Sequence, residues 1–194
     1  MRLRIVIAGF FLSAALPAIS QVAPSATQGG FPLTVGAGYT EFYSDWSGNI
    51  SGGALWLDWT FYRIPTFLQG MGLEIEARDL NYNRNGDEPK LRMDTVGGGP
   101  IYHYRRFHRV QPYGKFLIGF GSHDFNNPGD PTYEHDTRTV LIPGGGVDYR
   151  IWRNISVRGD YQYQFWLNYF NHHDLNPQGG TVGVSYDFGH MHSQ

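Results

Sequence analysis

Segment 180–188 alternates strictly between apolar residues and small or polar ones, and this alternation sharply limits the possible folds. Its apolar members are Val182, Val184, Tyr186 and Phe188, and its small or polar members are Thr181, Gly183, Ser185 and Asp187. A period of two is the pattern of a β-strand with one apolar and one polar face. Seven more segments between 33 and 166 alternate in the same way, so we predict an all-β chain with eight strands.

The eight segments are joined by connections whose lengths alternate along the chain. Long, polar connections cover 44–49, 79–90, 122–136 and 168–178, whereas short ones cover 63–65, 105–109 and 152–154. Outer-membrane barrels have long external loops and short periplasmic turns, and a tilted strand of roughly ten residues can cross a bilayer. We therefore predict an eight-stranded antiparallel up-and-down transmembrane β-barrel, preceded by a signal peptide.

The charged residues of these segments fall on the face opposite to the apolar residues. We predict a charged network inside the barrel, made of Asp58, Glu74, Glu76, Arg78, Lys115, Asp148, Arg150, Arg158 and Asp160. A soluble barrel would need an apolar interior, whereas an apolar exterior requires lipid around it. Eight strands enclose a space that side chains can fill, so we interpret this network as a plug of salt bridges. A narrow, gated ion path is the alternative.

Composition supports this class of protein and argues against others. Charged residues make up only 16% of the 194 residues, and 26 residues are glycine. The mean hydropathy of −0.38 excludes a helical membrane protein. The formal net charge of −2 gives no basic surplus that would indicate a nucleic-acid partner. Because the chain has no cysteine, its stability must come from packing and backbone pairing.

The N-terminal residues have the features of a secretory signal peptide. Arg2 and Arg4 precede an apolar segment, 5–16, which is too short to span a membrane as a helix. We place the cleavage region at Ala18, Ser20 and Gln21, with cleavage after Ser20. The predicted organisation is a signal peptide (1–20), a flexible segment (21–31), the barrel (32–189) and a tail (190–194).

Two prolines interrupt the predicted strands. Pro100 and Pro143 each adjoin a run of three glycines. A proline inside a strand removes a hydrogen-bond donor from the ladder, and a closed barrel has no free edge to hide the gap. We expect β-bulges or sharp strand bends at both positions, since small barrels need such features to curve.

The last strand also resembles the C-terminal insertion signal of bacterial outer-membrane barrels. Thr181, Gly183, Tyr186 and Phe188 fill the pattern polar-x-Gly-x-x-aromatic-x-aromatic, although a short tail follows Phe188 where the family usually ends. Together with the run 144–150 and the following segment 155–158, these residues make the chain from 33 to 188 similar to the OmpA-like or OmpX-like outer-membrane β-barrel domains.

This resemblance implies an integral protein of the bacterial outer membrane with a structural, adhesive or minor-pore role. It also implies that the partners are outer-membrane lipids and the barrel-assembly machinery, which recognises the last strand in that family. We expect a monomer. The ligand of the external loops, if there is one, stays open at this stage.

We predict no catalytic residue, no metal site and no cofactor. The acids Asp124, Asp130 and Asp136 lack the spacing of a calcium-binding loop. Neighbouring histidines, as in the run 172–174, seldom point at one ion. Some eight-stranded barrels modify lipid A, and the deacylase type carries a His-x-Ser pairing on a strand, which this chain lacks. The other alternative is a soluble, exported, lipocalin-like barrel that binds a small apolar ligand.

Overall fold

The computed structural model describes residues 33–44, 48–61, 65–82, 90–104, 109–126, 134–167 and 176–189. Nearly all of them are in strands. The strands are β1 (Leu33–Ser44), β2 (Gly48–Thr60), β3 (Met71–Tyr82), β4 (Lys90–His103), β5 (Val110–Asn126), β6 (Glu134–Arg150), β7 (Ile155–Tyr163), β8 (Phe165–Trp166) and β9 (Gln178–Asp187). A short 3-10 helix, Thr66–Leu68, precedes β3. In these ranges, no helix has the length and apolarity needed to span a membrane.

The strands form one antiparallel sheet that closes on itself. Each of β1 to β6 pairs with the next in the chain, and β9 pairs with both β1 and β7, so the sheet has no open end. The two-residue β8 continues β7 along β6 in the same register, after an interruption at Gln164. Counting β7 and β8 as one strand, the predicted eight-stranded antiparallel barrel is confirmed. Residues 32–188 form one compact unit.

The wall is apolar on its outer side and polar or small on its inner side. Leu55, Ile75, Ile118 and Val182 are each more than half exposed on the outer side. The charged side chains of Glu74, Glu76 and Arg78 on β3 are buried on the inner side, whereas Asp79 near the end of the strand is exposed. This polarity is the one that lipid requires. It does not fit a lipocalin-like barrel, which needs an apolar lumen and a polar exterior.

The two prolines interrupt the ladder on one side without a bulge. Between β4 and β5, pairing skips from Gly98↔Ile118 to Ile101↔Lys115, which is a step of three residues on both strands. The β3 side of Pro100 stays paired, with Leu73 as its partner. A bulge would add a residue to one strand only, so Pro100 makes no β-bulge, and the other expectation, a sharp strand bend, stays a prediction.

The same correction applies to Pro143. Its pairing with β5 is continuous, through Phe116. Pairing on its other side skips from Gly144↔Gln162 to Leu141↔Phe165, again three residues on each strand. The missing proline donor is therefore accommodated by a gap in one ladder, while the register of the barrel is unchanged.

Candidate functional site in the barrel lumen

Eight of the nine charged residues expected in the lumen are buried there. They are Asp58, Glu74, Glu76, Arg78, Lys115, Asp148, Arg158 and Asp160, and none is more than 8% exposed. We call these eight residues the charged network. A buried charge is costly unless it is paired and hydrogen-bonded, so the partners of these residues decide what the network does.

Arg150 does not belong to the charged network, so its predicted position inside the barrel is wrong. Alternation puts it on the same face as Asp148, but it is the last residue of β6 and its side chain is exposed. Its backbone N–H donates to the carbonyl of Arg109 at 2.8 Å, at the point where the strand ends. At the rim the inner face opens to solvent, so the inward direction no longer means burial.

Lys115 is the centre of one group of contacts. Its Nζ donates to Glu74 Oε1 at 2.6 Å and to Glu76 Oε2 at 2.7 Å, and it lies 3.0 Å from Asp160 Oδ2. The Tyr113 hydroxyl donates to the same Asp160 oxygen at 2.5 Å. One lysine on β5 therefore connects β3 with β7 across the lumen.

Arg158 is the centre of a second group. Its Nε and Nη2 bind the two carboxylate oxygens of Asp148 at 2.8 and 3.0 Å. Its Nη1 donates to Glu74 Oε2 at 2.8 Å, and its Nη2 donates to Asp58 Oδ2 at 2.6 Å. The planar guanidinium suits such multiple charge-assisted bonds. It also lies over the ring of Tyr113, 4.6 Å from the ring centre.

Arg78 completes the network on the side toward the long connections. It pairs with Glu76 at 2.8 Å and donates to Gln162 Oε1 at 2.8 Å. It also donates to Thr181 Oγ1 at 3.2 Å, and its guanidinium lies 4.4 Å from the centre of the Phe42 ring. The Gln162 amide in turn donates to Glu76 Oε2 at 2.6 Å. Arg78 thus links the charged network to the apolar side chains beyond it.

Three polar partners of the network are not among the site residues predicted from the sequence. Tyr113 and Gln162 bond to Asp160 and Glu76, and His103 Nε2 lies 3.2 Å from Asp148 Oδ2. Alternation does indicate their inward face, since Tyr113 is two residues before Lys115 and Gln162 is two residues after Asp160. The alternation does not show which inward side chain each of these three residues bonds to.

The lumen nearer the long connections is filled by a different kind of side chain. A cluster of buried apolar residues lies there, which we call the apolar cluster: Phe42, Ile50, Leu80, Met93, Leu117, Val140, Ile142 and Trp166. The Trp166 ring packs edge-on against His123, with 4.6 Å between ring centres. The charged network and the apolar cluster together fill the interior, as expected for a barrel of eight strands.

Within the described ranges, the structure has no group of three or more His, Cys, Asp or Glu residues arranged to hold a metal ion. The neighbouring histidines of the run 172–174 lie outside the described residues, as does Asp130. The buried carboxylates that the structure does place are engaged by Lys115, Arg158 and Arg78. These ion pairs connect strands to one another across the lumen.

The predicted insertion signal occupies both faces of β9 and its end. Thr181 is buried, where its hydroxyl donates to Thr40 Oγ1 at 2.9 Å, and Gly183 pairs with Gly38 at the seam between β1 and β9. Tyr186 and Phe188 point outward, with ring centres 4.9 Å apart. Recognition of this strand by an assembly machinery stays a prediction. The cleavage region at Ala18, Ser20 and Gln21 lies outside the described residues.

Exposed aromatic side chains gather toward the two ends of the outer wall. Toward the short turns lie Trp59, Phe61, Tyr102, Tyr104, Tyr149, Trp152, Tyr186 and Phe188, and toward the long connections lie Tyr39, Tyr43, Phe120 and Tyr161. Aliphatic residues such as Leu73, Ile75 and Val184 cover the wall between them. Two aromatic belts around an aliphatic band are the expected surface of a membrane barrel.

The profile of the outer membrane protein beta-barrel domain matches residues 11–188. The chain belongs to the outer membrane protein beta-barrel domain family. No curated protein sequence matches it. As a member of this family, the protein is an integral barrel of the bacterial outer membrane, with an envelope or surface-interaction role.

Solved structures of other outer-membrane barrels share the fold. Ail, the attachment invasion locus protein of Yersinia pestis, solved with the heparin analogue sucrose octasulfate, is 18% identical with a TM-score of 0.58; the match covers 80% of this chain and 97% of Ail. Neisserial surface protein A is 15% identical with a TM-score of 0.60, covering 80% and 96%. OprG of Pseudomonas aeruginosa is 11% identical with a TM-score of 0.58, covering 83% and 97%. At these identities the likeness concerns the fold alone.

Proposed function

We propose that this barrel is a closed, monomeric, non-enzymatic scaffold that holds its four long connections at the cell surface and conducts no solute. The observation that carries the proposal is the filling of the lumen along its length. The charged network braces β2, β3, β5, β6 and β7 to one another, and the apolar cluster fills the space beyond it. The carboxylates and cations engage each other, which leaves them no free role toward a substrate.

One observation favours the alternative of a narrow cation path. The charged network contains five carboxylates but only three lysine or arginine side chains. One carboxylate oxygen of Asp58 and one of Asp160 have no hydrogen-bond partner among the described residues. An excess of negative charge would attract cations if the lumen opened. Opening would require the buried pairs around Lys115 and Arg158 to separate.

Conductance across planar bilayers distinguishes the two functions. For the closed scaffold we expect no stepwise conductance from the wild-type protein, and none from Arg150→Ala, which lies outside the network. Stable channels in the wild-type protein, with a conductance that changes in Glu74→Ala or Arg158→Ala, would establish the cation path and contradict the scaffold.

The charge of the long connections bears on what the surface could bind. Between the strands they contain five acidic residues, Asp45, Asp87, Glu88, Asp130 and Asp174, against one basic residue, Arg84. A surface of this charge repels polyanions. The solved Ail complex contains a sulfated sugar, whereas for this chain we propose a neutral or basic surface partner. Calorimetry with sucrose octasulfate should detect no binding.

Targeting and assembly complete the proposal. We propose that 1–20 is removed on export, that 21–31 leads to the barrel at 32–189, and that 190–194 is a tail. Thr181, Gly183, Tyr186 and Phe188 are proposed to be read by the barrel-assembly machinery. The outward rings of Tyr186 and Phe188 support this, because they are accessible on the last strand. Replacing both by alanine should reduce the amount of barrel in the outer membrane.

A further inference from the structure

The connections at the two ends of the barrel carry opposite charge. The three short ones, 61–70, 104–109 and 151–154, contain no acidic residue and five arginines, which are Arg63, Arg105, Arg106, Arg109 and Arg153. The long ones contain five acidic residues and one arginine. In this family the short turns are periplasmic, so the basic end lies at the periplasmic leaflet. Charge of one sign gathered at one end attracts ions of the opposite sign.

The charge of Arg153, between β6 and β7, is not balanced by the barrel itself. Its side chain is exposed and has no ion-pair partner among the described residues. Arg92, an exposed arginine near the long connections, differs in this respect, since its Nη2 lies 3.1 Å from Asp79 Oδ2 and 3.0 Å from Asp94 Oδ2. Arg153 is therefore available to an external anion, whereas Arg92 is already paired.

Large apolar side chains accompany the positive charge. Trp152 is 71% exposed and Phe67, between β2 and β3, is 77% exposed. They are the two most exposed large hydrophobic residues of the described chain, and Ile151 beside Trp152 is exposed as well. Apolar area in water carries a free-energy cost, whereas the membrane interface favours tryptophan. These connections therefore suit the headgroup region better than the open periplasm.

The connection between β6 and β7 is held in place by backbone hydrogen bonds. The N–H groups of Ile151 and Trp152 both donate to the Ile155 carbonyl, at 3.0 and 3.1 Å. Asn154 Nδ2 donates to the Asp187 carbonyl at 2.6 Å, and the Asp187 N–H donates to the Asn154 carbonyl at 2.8 Å. These bonds join the turn to the end of β9. A ligand on this turn therefore costs little entropy for ordering the backbone.

An anionic phospholipid accounts for both the charge and the apolar side chains. Its phosphate accepts hydrogen bonds from a guanidinium, and its acyl region covers Ile151 and Trp152. A polyanion of the cell wall would meet Arg153 but leave these two apolar side chains in water. A zwitterionic phospholipid would cover them but has no net charge to balance the arginines. Basic residues at a membrane surface attract anionic lipids.

We propose that the short-turn end of the barrel selects anionic phospholipids of the periplasmic leaflet, with Arg153 binding the phosphate and Ile151 and Trp152 contacting the acyl region. Arg150 is not part of this surface, because alternation directs it with Asp148 toward the mouth of the lumen. The proposal rests on the location of the barrel in the outer membrane and is independent of whether the lumen conducts.

Counting the lipids that stay bound tests this preference. The full chain is placed in nanodiscs made of equal parts of phosphatidylcholine and phosphatidylglycerol with the same acyl chains, and the retained lipids are identified by native mass spectrometry. We expect the wild type to retain phosphatidylglycerol over phosphatidylcholine by about tenfold or more. Arg153→Gln should lower this ratio about fivefold, the contribution of one arginine near an anionic surface. Arg153→Lys keeps the charge and should keep most of the preference.

Two further variants separate charge from apolar contact. Trp152→Ala should lower the retention of both lipids to a similar extent and leave their ratio unchanged, because the indole contacts a part that the two lipids share. Arg92→Gln is the matched control. It removes an exposed arginine at the opposite end, where two acidic residues already balance its charge, so the ratio should stay at the wild-type value.

Equal retention of the two lipids by the wild type, or the same loss of preference in Arg153→Gln and Arg92→Gln, would overturn the proposal. Co-sedimentation with purified peptidoglycan that Arg153→Gln abolishes, with the lipid ratio unchanged, would also overturn it, because the arginine would then bind the cell wall. If Arg153→Gln does not fold, Arg109→Gln decides in its place, since Arg109 is likewise exposed and without an ion-pair partner among the described residues.

Discussion

The two halves of the lumen are filled by opposite chemistry, although the same strands build both. On β3, the inward residues Glu74 and Glu76 belong to the charged network, and Leu80 on the same face belongs to the apolar cluster. On β5, Lys115 and Leu117 make the same change within two residues. Polarity therefore varies along the axis of the barrel as well as between its two faces.

The two halves also resist disruption differently. The charged network is directional, since Arg158 on β7 bonds to side chains on β2, β3 and β6. Removing one partner leaves the others charged and buried. The apolar cluster depends on filled volume, so the loss of a side chain costs the contacts it made and the cavity it leaves. Variants matched between the halves can separate these two behaviours.

The largest effect is expected for Arg158→Ala. It would leave Asp58 and Asp148 without their arginine and Glu74 with Lys115 alone, and breaking a buried pair in this way costs about 3–5 kcal/mol. The measurement is urea titration of the barrel in phospholipid vesicles, with the folded fraction taken from the shifted band of unheated samples on a gel. Arg150→Ala removes an exposed arginine of β6 and should leave the midpoint unchanged. A midpoint shift of similar size in both variants would contradict the bracing role.

A somewhat smaller effect is expected in the apolar half from Leu117→Ala. Leu117 is fully buried, and truncating such a leucine costs about 2–5 kcal/mol, depending on how far the cavity collapses. The neighbouring Ile118 points to the lipid and is more than half exposed, so Ile118→Ala should shift the same urea midpoint much less. A larger loss in Leu117→Ala than in Arg158→Ala would show that volume, and not ion pairing, dominates the lumen.

The smallest effect is expected from overpacking at Gly121. A Cβ there would lie 2.1 Å from the Trp166 ring, so Gly121→Ala forces that ring to move, at a cost of about 1–3 kcal/mol. Trp56 covers Gly36 in the same way in the other half, where a Cβ would lie 2.2 Å from its ring.

Gly114 provides the control for that variant. A Cβ at Gly114 would meet nothing within 4 Å, so Gly114→Ala should not change the urea midpoint. Adding Trp166→Leu to Gly121→Ala should cost less than the sum of the two single changes, because the clash disappears with the indole. Additive costs would mean that Trp166 does not determine the requirement for glycine at 121.

Most of the fold was predictable because a period of two is a local property of the chain. The outward position of Val182 and Val184 and the inward position of Glu74 and Lys115 follow from alternation alone. The same rule failed for Arg150, since it gives the face of a residue but not its distance from the rim. It also does not show how a closed sheet accommodates Pro100, where the ladder opens on one side with no change in register.

The pairs inside the lumen could not be predicted in the same way. Arg158 meets Asp58, which is 100 residues away in the chain, and Lys115 meets Glu74 from 41 residues away. Such contacts depend on the register shift between strands, which is fixed when the sheet closes into a barrel. The apolar cluster was missed as a unit because its members come from several strands, and on each strand they look like isolated inward residues.

The amino-acid sequence by itself determined the strand count, the two faces of each strand and the apolar exterior, because strand geometry converts a repeat of two directly into opposite sides of a sheet. The tertiary structure alone decided the partner of each acid and the division of the lumen into a charged and an apolar half. Those features arise only when the first and last strands meet, since closure brings residues from distant strands within bonding distance.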